Sequence, residues 1–166
     1  RIREKAGAGE VLVVTVGPSR AATALRTCLA MGADRAMHLN DPAFTGSDSL
    51  GLARILAAAI APFGADLILT GQYAVGSDSR QVGIMLAELL GLPHVSMVTK
   101  LELGEGKLTA HREIEGAEEI VESSLPCVVT AQKGLNEPRY ASLKGIMAAK
   151  KKPIAEKSAA GLGLEP

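Results

Sequence analysis

Continuous apolar runs alternate with helical patterns through the first half of the chain, and this alternation limits the possible folds more than any other feature. Residues 11–16 are a run of Val, Leu and Thr that is typical of a strand covered on both faces. Strand-like segments follow at 35–39 and 67–70, and helical patterns fill the gaps, through about residue 31 and about residue 61. Strand–helix repetition with short connections predicts a parallel sheet with right-handed crossovers.

The second half of the chain changes to strand patterns with charged alternate positions. Residues 94–103, 107–115, 119–122 and 126–131 are strand-like, and the first three have the spacing of hairpins. Such strands predict an antiparallel extension on one sheet edge. A short helix is expected around 145–150. The whole pattern predicts a three-layer, Rossmann-like α/β fold, with helices on both faces of a mostly parallel sheet.

The predicted organisation has three parts. Residues 1–132 form a nucleotide-binding α/β domain, 133–154 form a loop with a short helix, and 155–166 form a flexible tail. The charged opening of the chain, followed by glycines, resembles the end of a helix, so we expect a further strand and helix start before residue 1. Aromatic residues are only 2% and Trp is absent, so Ala, Val, Leu and Ile must build the core.

Several functional classes are disfavoured by composition. The formal net charge is zero, which gives no reason to expect nucleic acid as a partner, and no apolar run reaches the roughly 18 residues of a membrane span. Cys28 and Cys127 lie in apolar surroundings and are expected to be buried free thiols. The three histidines, His38, His94 and His111, share no metal-ligand spacing, so no metal site is predicted. No serine lies in a nucleophile elbow, and no catalytic residue is predicted.

A segment of glycines and small polar residues, Gly71–Gly83, links the third strand to the third helix. A tight crossover needs fewer residues, and the carboxyl end of a parallel strand is where open α/β sheets bind ligands. With Asp78 as the N-cap, Gln81 takes the third helical position. The N–H groups from Arg80 to Val82 then form an anion site, to which Arg80 can add its charge. Two interpretations stay open: a loop that holds a nucleotide phosphate, and a capped loop that holds nothing.

The loop contains one copy of a small repeat, because residues 46–49 and 76–79 both read Gly-Ser-Asp-Ser. Both copies stand just before helices, where Ser and Asp are preferred caps, so capping alone explains the first copy. The loop is neither a Walker A motif nor a GxGxxG motif. Gly83 is expected to let the third helix pack closely.

Three stretches make the chain resemble the β subunit of electron transfer flavoproteins, the FixA-like family. They are the segment 30–35, which reads AMGADR, the Gly71–Gly83 loop, and the run LNEPRYASL at 135–143, which is followed by IMAAKKKPI at 146–154. The last stretch is the most specific, and the likeness covers nearly the whole chain. The family's subunit has a further segment at each end.

The resemblance implies an electron-carrier subunit rather than an enzyme. Members pair with an α subunit, and the heterodimer carries FAD between acyl-CoA or other flavin dehydrogenases and a membrane-bound quinone oxidoreductase, or nitrogen-fixation pathways. The β subunit binds AMP in the simple type and a second FAD in the bifurcating type. The resemblance also implies a bacterial cytoplasmic or mitochondrial-matrix location, without direct insertion into the membrane.

The resemblance further assigns two sets of residues. The cofactor-binding set is Val16, Gly17, Gly71, Gln72, Tyr73, Ala74, Val75, Asp78, Ser79, Arg80, Gln81, Val82 and Gly83. The partner-binding set is Arg139, Tyr140, Ala141, Ser142, Leu143, Lys144, Gly145, Ile146 and Met147, in a recognition loop that extends to Ala148. Leu143 would be the apolar anchor inserted into partner dehydrogenases. The structural alternative for Leu143 is an ordinary core contact at a helix start.

The chain departs from the family pattern at several of these positions. Residues 76 and 77 are Gly and Ser where acidic residues are common, and Arg80 and Val82 replace a Thr or Asn. Lys144-Gly145 stands where Pro-Asn is frequent, which predicts a looser recognition loop. A stand-alone adenine-nucleotide-binding protein of the stress-protein type is the alternative function, and a purely structural interaction module is a third.

Overall fold

A computed structural model describes residues 1–74, 76 and 78–164. Contacts between residues divide the chain into two compact units. Unit 1 consists of residues 1–46 together with the segment from Pro138 onward, and unit 2 consists of residues 47–137. These two units have other boundaries than the three predicted parts, 1–132, 133–154 and 155–166. The predicted division into three parts stays a prediction.

Five α-helices and eight strands make up the described part of the chain. They are α1 Ile2–Ala6, β1 Leu12–Val16, α2 Ala22–Ala30, β2 Arg35–Leu39, α3 Ser49–Ile60, β3 Leu67–Gly71, α4 Val82–Leu90, β4 His94–Leu103, β5 Lys107–Ile114, β6 Ala117–Ser124, β7 Cys127–Ala131, α5 Leu143–Lys151 and β8 Ile154–Lys157. The predicted strands and helices of both halves are therefore present, with shifts of a few residues at their ends.

Unit 1 contains a three-stranded parallel sheet in the order β1-β2-β8. The third strand, β8, was not foreseen, because its residues were assigned to the recognition segment and a flexible tail. α2 and α5 cover one face of the sheet, where Leu25, Leu29 and Ala149 pack with Ala36 of β2. β2 is the central strand, and its residues 36, 38 and 39 are fully buried.

Unit 2 contains a five-stranded sheet in the order β3-β7-β4-β5-β6. β7 is parallel to both β3 and β4, whereas β5 and β6 continue the sheet as antiparallel hairpins. The register of β4 shifts between Val95 and Val98, which is a β-bulge. The prediction of a mixed α/β fold with a mostly parallel sheet and an antiparallel extension is confirmed.

β7 carries the core of unit 2 because both of its faces are covered. Cys127 and Val129 pack on one face with Val98 and Leu108, while Val128 packs on the other with Leu86 of α4. This explains why the strand is a continuous apolar run. Burial raises the pKa of the Cys127 thiol.

Two smaller expectations have different outcomes. Asp48 caps α3 as predicted, because its Oδ1 accepts a hydrogen bond of 2.7 Å from Gly51 N–H. Both cysteines are free, but Cys28 is only half-buried, so the expectation of two buried thiols is correct only for Cys127. No helix in the described part of the chain is long and apolar enough to cross a membrane.

Candidate functional site

The Gly71–Gly83 loop begins at the carboxyl edge of the sheet in unit 2. Gly71 ends β3 directly beside Ala131, the last residue of β7, and Val98 of the β4 bulge pairs with the same Ala131. The ends of two parallel strands and the bulge of a third therefore meet where the loop starts. This is the position at which open α/β sheets bind ligands. Val75, assigned to the cofactor set, lies outside the described residues, as does Ser77.

Gln72 fixes the start of the loop to the bulge of β4. Its side chain is buried, and Oε1 accepts hydrogen bonds from Met97 N–H at 2.9 Å and from the Thr130 hydroxyl. Its own N–H donates to Ala131 O at 3.1 Å. Met97 has a φ of +60°, a left-handed conformation that is uncommon for this residue type and that these bonds hold in place. The buried side-chain oxygen of Gln72 therefore fixes the start of the loop to β4 and β7.

The middle of the loop contains an exposed cluster of three side chains. The Arg80 guanidinium lies 5.0 Å from the centre of the Tyr73 ring, and its Nε is 3.1 Å from Asp78 Oδ1. The hydrogen bond and charge of Asp78 raise the pKa of Arg80 above its ordinary value. Arg80 is thus paired within the loop, and its charge is largely balanced by Asp78.

The predicted cap of the third helix is wrong. α4 begins at Val82, and its N-cap is Gln81, which makes no capping bond through its side chain. Asp78 and Arg80 have φ angles of +45° and +54°, so the chain is still turning at these residues. The Asp78 carboxylate is used by Arg80, which explains why it is not available to cap the helix.

Gly83 lies where the first turn of α4 touches the sheet. A Cβ at this position would be 2.5 Å from Thr130 Cγ2 and 2.6 Å from Thr70 Oγ1. The expectation that Gly83 allows close helix packing is therefore confirmed. The first helical hydrogen bond of α4 runs from Met85 N–H to Gln81 O, so the N–H groups of residues 82–84 precede it and have no hydrogen-bond partner among residues 1–74, 76 and 78–164.

Val16 and Gly17 belong to unit 1, whereas the rest of the predicted cofactor set belongs to unit 2. They lie at the carboxyl end of β1, and the Gly17 carbonyl oxygen is 2.8 Å from His38 Nε2. His38 is only 1% exposed. Its Nδ1 has no hydrogen-bond partner among the described residues, and Glu156 Oε1 is 3.9 Å away.

His38 is a residue of this region that the sequence analysis did not select. The available signal was a polar side chain in a short apolar strand, one residue before its end. No cluster of His, Cys, Asp or Glu within the described ranges could hold a metal ion. The contact that His38 makes in this region is its hydrogen bond to the Gly17 carbonyl oxygen.

The predicted partner-binding set lies in unit 1, partly in a loop and partly in α5. Residues 139–142 precede the helix, and Ser142 is its N-cap, with Oγ accepting from Gly145 N–H at 3.0 Å. Three apolar side chains of the helix, which we call the α5 surface, are exposed: Leu143 by 77%, Met147 by 57% and Ile146 by 42%. The alternative of an ordinary core contact for Leu143 is therefore wrong. Arg139 forms an ion pair with Glu4 at 3.0 Å.

A cavity of about 250 Å³ also lies in unit 1. It is lined by residues of α1, β1 and the end of α2, including Arg3, Cys28 and Met31. Of the predicted site residues that the structure describes, only Arg139 lines it. The cavity is therefore separate from the residues assigned to the cofactor.

Residues 1–162 match the family model described as the electron transfer flavoprotein domain. The match covers nearly the whole chain, and it includes all the strands and helices described above. The chain therefore belongs to the electron transfer flavoprotein domain family.

Several curated relatives within this family are named as β subunits. The chain is 46% identical over 160 residues to a protein of Syntrophomonas wolfei named electron transfer flavoprotein subunit beta, covering 96% of this chain and 63% of the relative. It is 44% identical over 157 residues to the subunit beta of Bacillus subtilis, covering 94% and 61%. It is 41% identical over 166 residues to the caffeyl-CoA reductase-Etf complex subunit CarD of Acetobacterium woodii, covering 99% and 63%. The chain thus spans less than two thirds of the length of these relatives.

Proposed function

We propose that this chain acts as the β subunit of a heterodimeric electron transfer flavoprotein. In this proposal the subunit binds AMP, or a second FAD, and pairs with an α subunit. The heterodimer passes electrons from dehydrogenases, such as acyl-CoA dehydrogenases, to a quinone oxidoreductase. The subunit is an electron carrier and has no bond-making chemistry of its own.

The observation that carries the proposal is the family match over residues 1–162, with relatives that are named as β subunits. The α5 surface gives it independent support. Large exposed apolar side chains grouped on one face typically mark a site of protein contact. An exposed Leu143 beside the exposed apolar side chains of Ile146 and Met147 suits a carrier that must dock to more than one dehydrogenase.

The residues of unit 2 fit the phosphate of an adenine nucleotide. The first turn of α4 offers N–H donors that no described residue uses, and the helix dipole favours negative charge there. A Cβ at Gly76 would meet no atom within 4 Å, so the backbone at this position can approach a ligand. Arg80 adds a cation that is currently held by Asp78, and rearrangement of that pair would make it available to the phosphate.

The groups of each unit, taken by itself, would have separate tasks. The amides of residues 82–84 would hold the phosphate, while Gln72 would fix the loop through its bonds to Met97 and Thr130. In unit 1, His38 would hold the Gly17 carbonyl and so set the backbone after β1. FAD, when bound to the heterodimer, supplies the redox chemistry.

The test uses the full-length β subunit purified together with its α subunit. Denaturing the complex and analysing the supernatant by mass spectrometry should release one adenine nucleotide for each heterodimer, in addition to the FAD shared with the α subunit. AMP identifies the simple type, and a second FAD identifies the bifurcating type. A complex that releases no such nucleotide contradicts the proposed site, and steady ATP hydrolysis by the isolated subunit would favour the stand-alone alternative.

The docking part of the proposal is tested by Leu143→Ala. Because truncation removes the most exposed apolar group of the α5 surface, we expect the KM for the heterodimer in dehydrogenase assays to rise about tenfold, while nucleotide content is unchanged. Ile120→Ala is the matched control, since Ile120 is 62% exposed on β6 in unit 2. Equal KM values for wild type and Leu143→Ala would remove Leu143 from this role.

A further inference from the structure

The first turn of α5 lies against the end of α2 with no room for a side chain between them. A Cβ at Gly145 would overlap the carbonyl oxygen of Ala30, far inside the 3.0 Å below which real Cβ contacts essentially do not occur. The obstacle is a main-chain atom, so it cannot rotate away. Gly145 therefore sets how closely α5 approaches α2.

The last turn of α5 is fixed to α2 by a different contact. Arg26 of α2 donates from Nη1 to the carbonyl oxygen of Ala149 at 2.7 Å and also to that of Lys152. These carbonyls are at the end of the helix, where a cation is favourable, and Ala149 O also accepts the N–H of Lys152 at 3.2 Å. Lys152 Nζ donates in return to Ala33 O at 2.6 Å. Ala149, between these contacts, is buried against α2 and β2.

These two contacts have a common consequence for the exposed side of the helix. With both ends of α5 held on α2, the side chains of the α5 surface project from a fixed backbone. The sequence had predicted a looser recognition loop, because Lys144-Gly145 replaces Pro-Asn. For the helical part of this segment the geometry indicates a more firmly held backbone, because the absence of a side chain at Gly145 lets α5 pack directly on the main chain of α2 at Ala30.

We propose that Gly145 and Arg26 are positioning residues that pre-set the α5 surface for its partner. The inference rests on the proposed docking function of this surface. A surface that is already ordered binds with a smaller entropic cost than one that must be ordered on contact. Neither residue needs to touch the partner: Gly145 acts through the helix backbone and Arg26 acts through the carbonyl groups of Ala149 and Lys152.

The test uses Gly145→Ala and Arg26→Met in the full-length heterodimer. In an exposed helix, Gly→Ala normally favours the helix, so a loss of docking in Gly145→Ala would report the overlap with Ala30 rather than helix propensity. Arg26→Met keeps most of the apolar stem and removes the donor. We expect the KM for the heterodimer to rise about five- to tenfold in each variant, with kcat and nucleotide content unchanged. Amide hydrogen exchange of residues 146–150 should also become faster.

The control is Gly161→Ala, which makes the same chemical change in unit 1. A Cβ there would be 3.5 Å from its nearest neighbour, Ser158 Oγ, so an unchanged KM is expected. An unchanged KM in Gly145→Ala or Arg26→Met removes that residue from the role. Loss of nucleotide or of the α subunit in either variant contradicts the inference as well, because the residue would then support the whole fold.

Leu143→Ala distinguishes failure of this inference from failure of the proposed function. If Leu143→Ala raises the KM and the two positioning variants do not, the docking surface stands and the positioning inference is overturned. If none of the three variants changes the KM, the docking surface itself is refuted.

Discussion

Gly83 occupies the point where α4 meets the sheet of unit 2, and adding one methyl group there is a sharp test of the site. In Gly83→Ala the new Cβ would lie 2.5 Å from Thr130 Cγ2 and 2.6 Å from Thr70 Oγ1. Both atoms belong to side chains on strands of a packed sheet. Relief therefore requires α4 to move away or the two threonines to leave their positions.

The expected loss of stability follows from two opposing effects. Replacing Gly by Ala in a helix gains up to about 1 kcal/mol from backbone entropy. Overpacking a well-packed interior costs typically about 1–3 kcal/mol, and two overlaps place this case toward the upper end. The net loss is then about 1–2 kcal/mol. For a protein of this size that corresponds to a melting temperature lower by roughly 2–8 °C.

Thermal unfolding of the full-length protein, followed by calorimetry, measures this difference. Two further substitutions should restore it: Thr130→Ser removes Cγ2 but keeps the hydroxyl that bonds Met97, and Thr70→Ala removes Oγ1. Thr70 Oγ1 is buried and has no hydrogen-bond partner among the described residues, so its removal sacrifices no such bond. Gly104→Ala is the control, because a Cβ there would be 3.8 Å from its nearest neighbours.

The reasoning is refuted if Gly83→Ala is as stable as wild type, or if the triple variant is no more stable than Gly83→Ala. Either result would mean that the first turn of α4 is not pressed against the two threonines. The proposed amide site at this helix start would then lose its geometric basis.

Two other predictions concern the hydrogen bonds of buried or turning segments. Gln72→Leu removes the Oε1 acceptor of two hydrogen bonds, one from the Thr130 hydroxyl and one from Met97 N–H, which keeps the Thr130 hydroxyl as its other acceptor. The variant should destabilise the protein by about 1–3 kcal/mol in urea unfolding, with weaker AMP binding; unchanged values for both would show that the loop does not depend on these bonds. Asp41 accepts hydrogen bonds from Ala43 N–H and Ala159 N–H, and these bonds lower the pKa of its carboxyl group in the folded protein. The ionised carboxylate therefore stabilises the fold fully above the unfolded pKa of about 3.9, and this stabilisation is lost as the pH falls through the lower folded pKa. The melting temperature of Asp41→Asn should accordingly lie below that of wild type at pH 7, and the difference should shrink in acid; a difference that is constant down to pH 2 would contradict this.

Several elements in both halves of the chain were predictable because each carries a local signal. β1 and β7 are continuous apolar runs, and α3 has both an amphipathic stripe and a capping Asp48. Such signals depend on residues close in sequence, so one chain is enough to read them. The role of Leu143, by contrast, was given by the resemblance of the chain to a family and stays a prediction; the structure shows that its side chain is exposed.

The missed features depend on residues that are distant in sequence or on competing side-chain bonds. β8 is four residues long, with one half-buried apolar side chain, and it forms a strand because β2 lies beside it. The start of α4 was predicted too early, since nothing in the sequence indicates that Arg80 takes the Asp78 carboxylate. The hydrogen bond from His38 to the Gly17 carbonyl likewise requires the pairing of β1 with β2 to be known.

The discontinuity of unit 1 has a consequence for the order of events on the ribosome. Residues 47–137 emerge as one uninterrupted piece, whereas β1 and β2 must wait for α5 and β8 before their sheet is complete. Segments that are complete in sequence can fold during synthesis, while long-range pairings come later. A nascent chain would therefore complete the sheet that carries the Gly71–Gly83 loop before the sheet that α5 covers, so that a translation product that stops before residue 143 lacks the α5 surface.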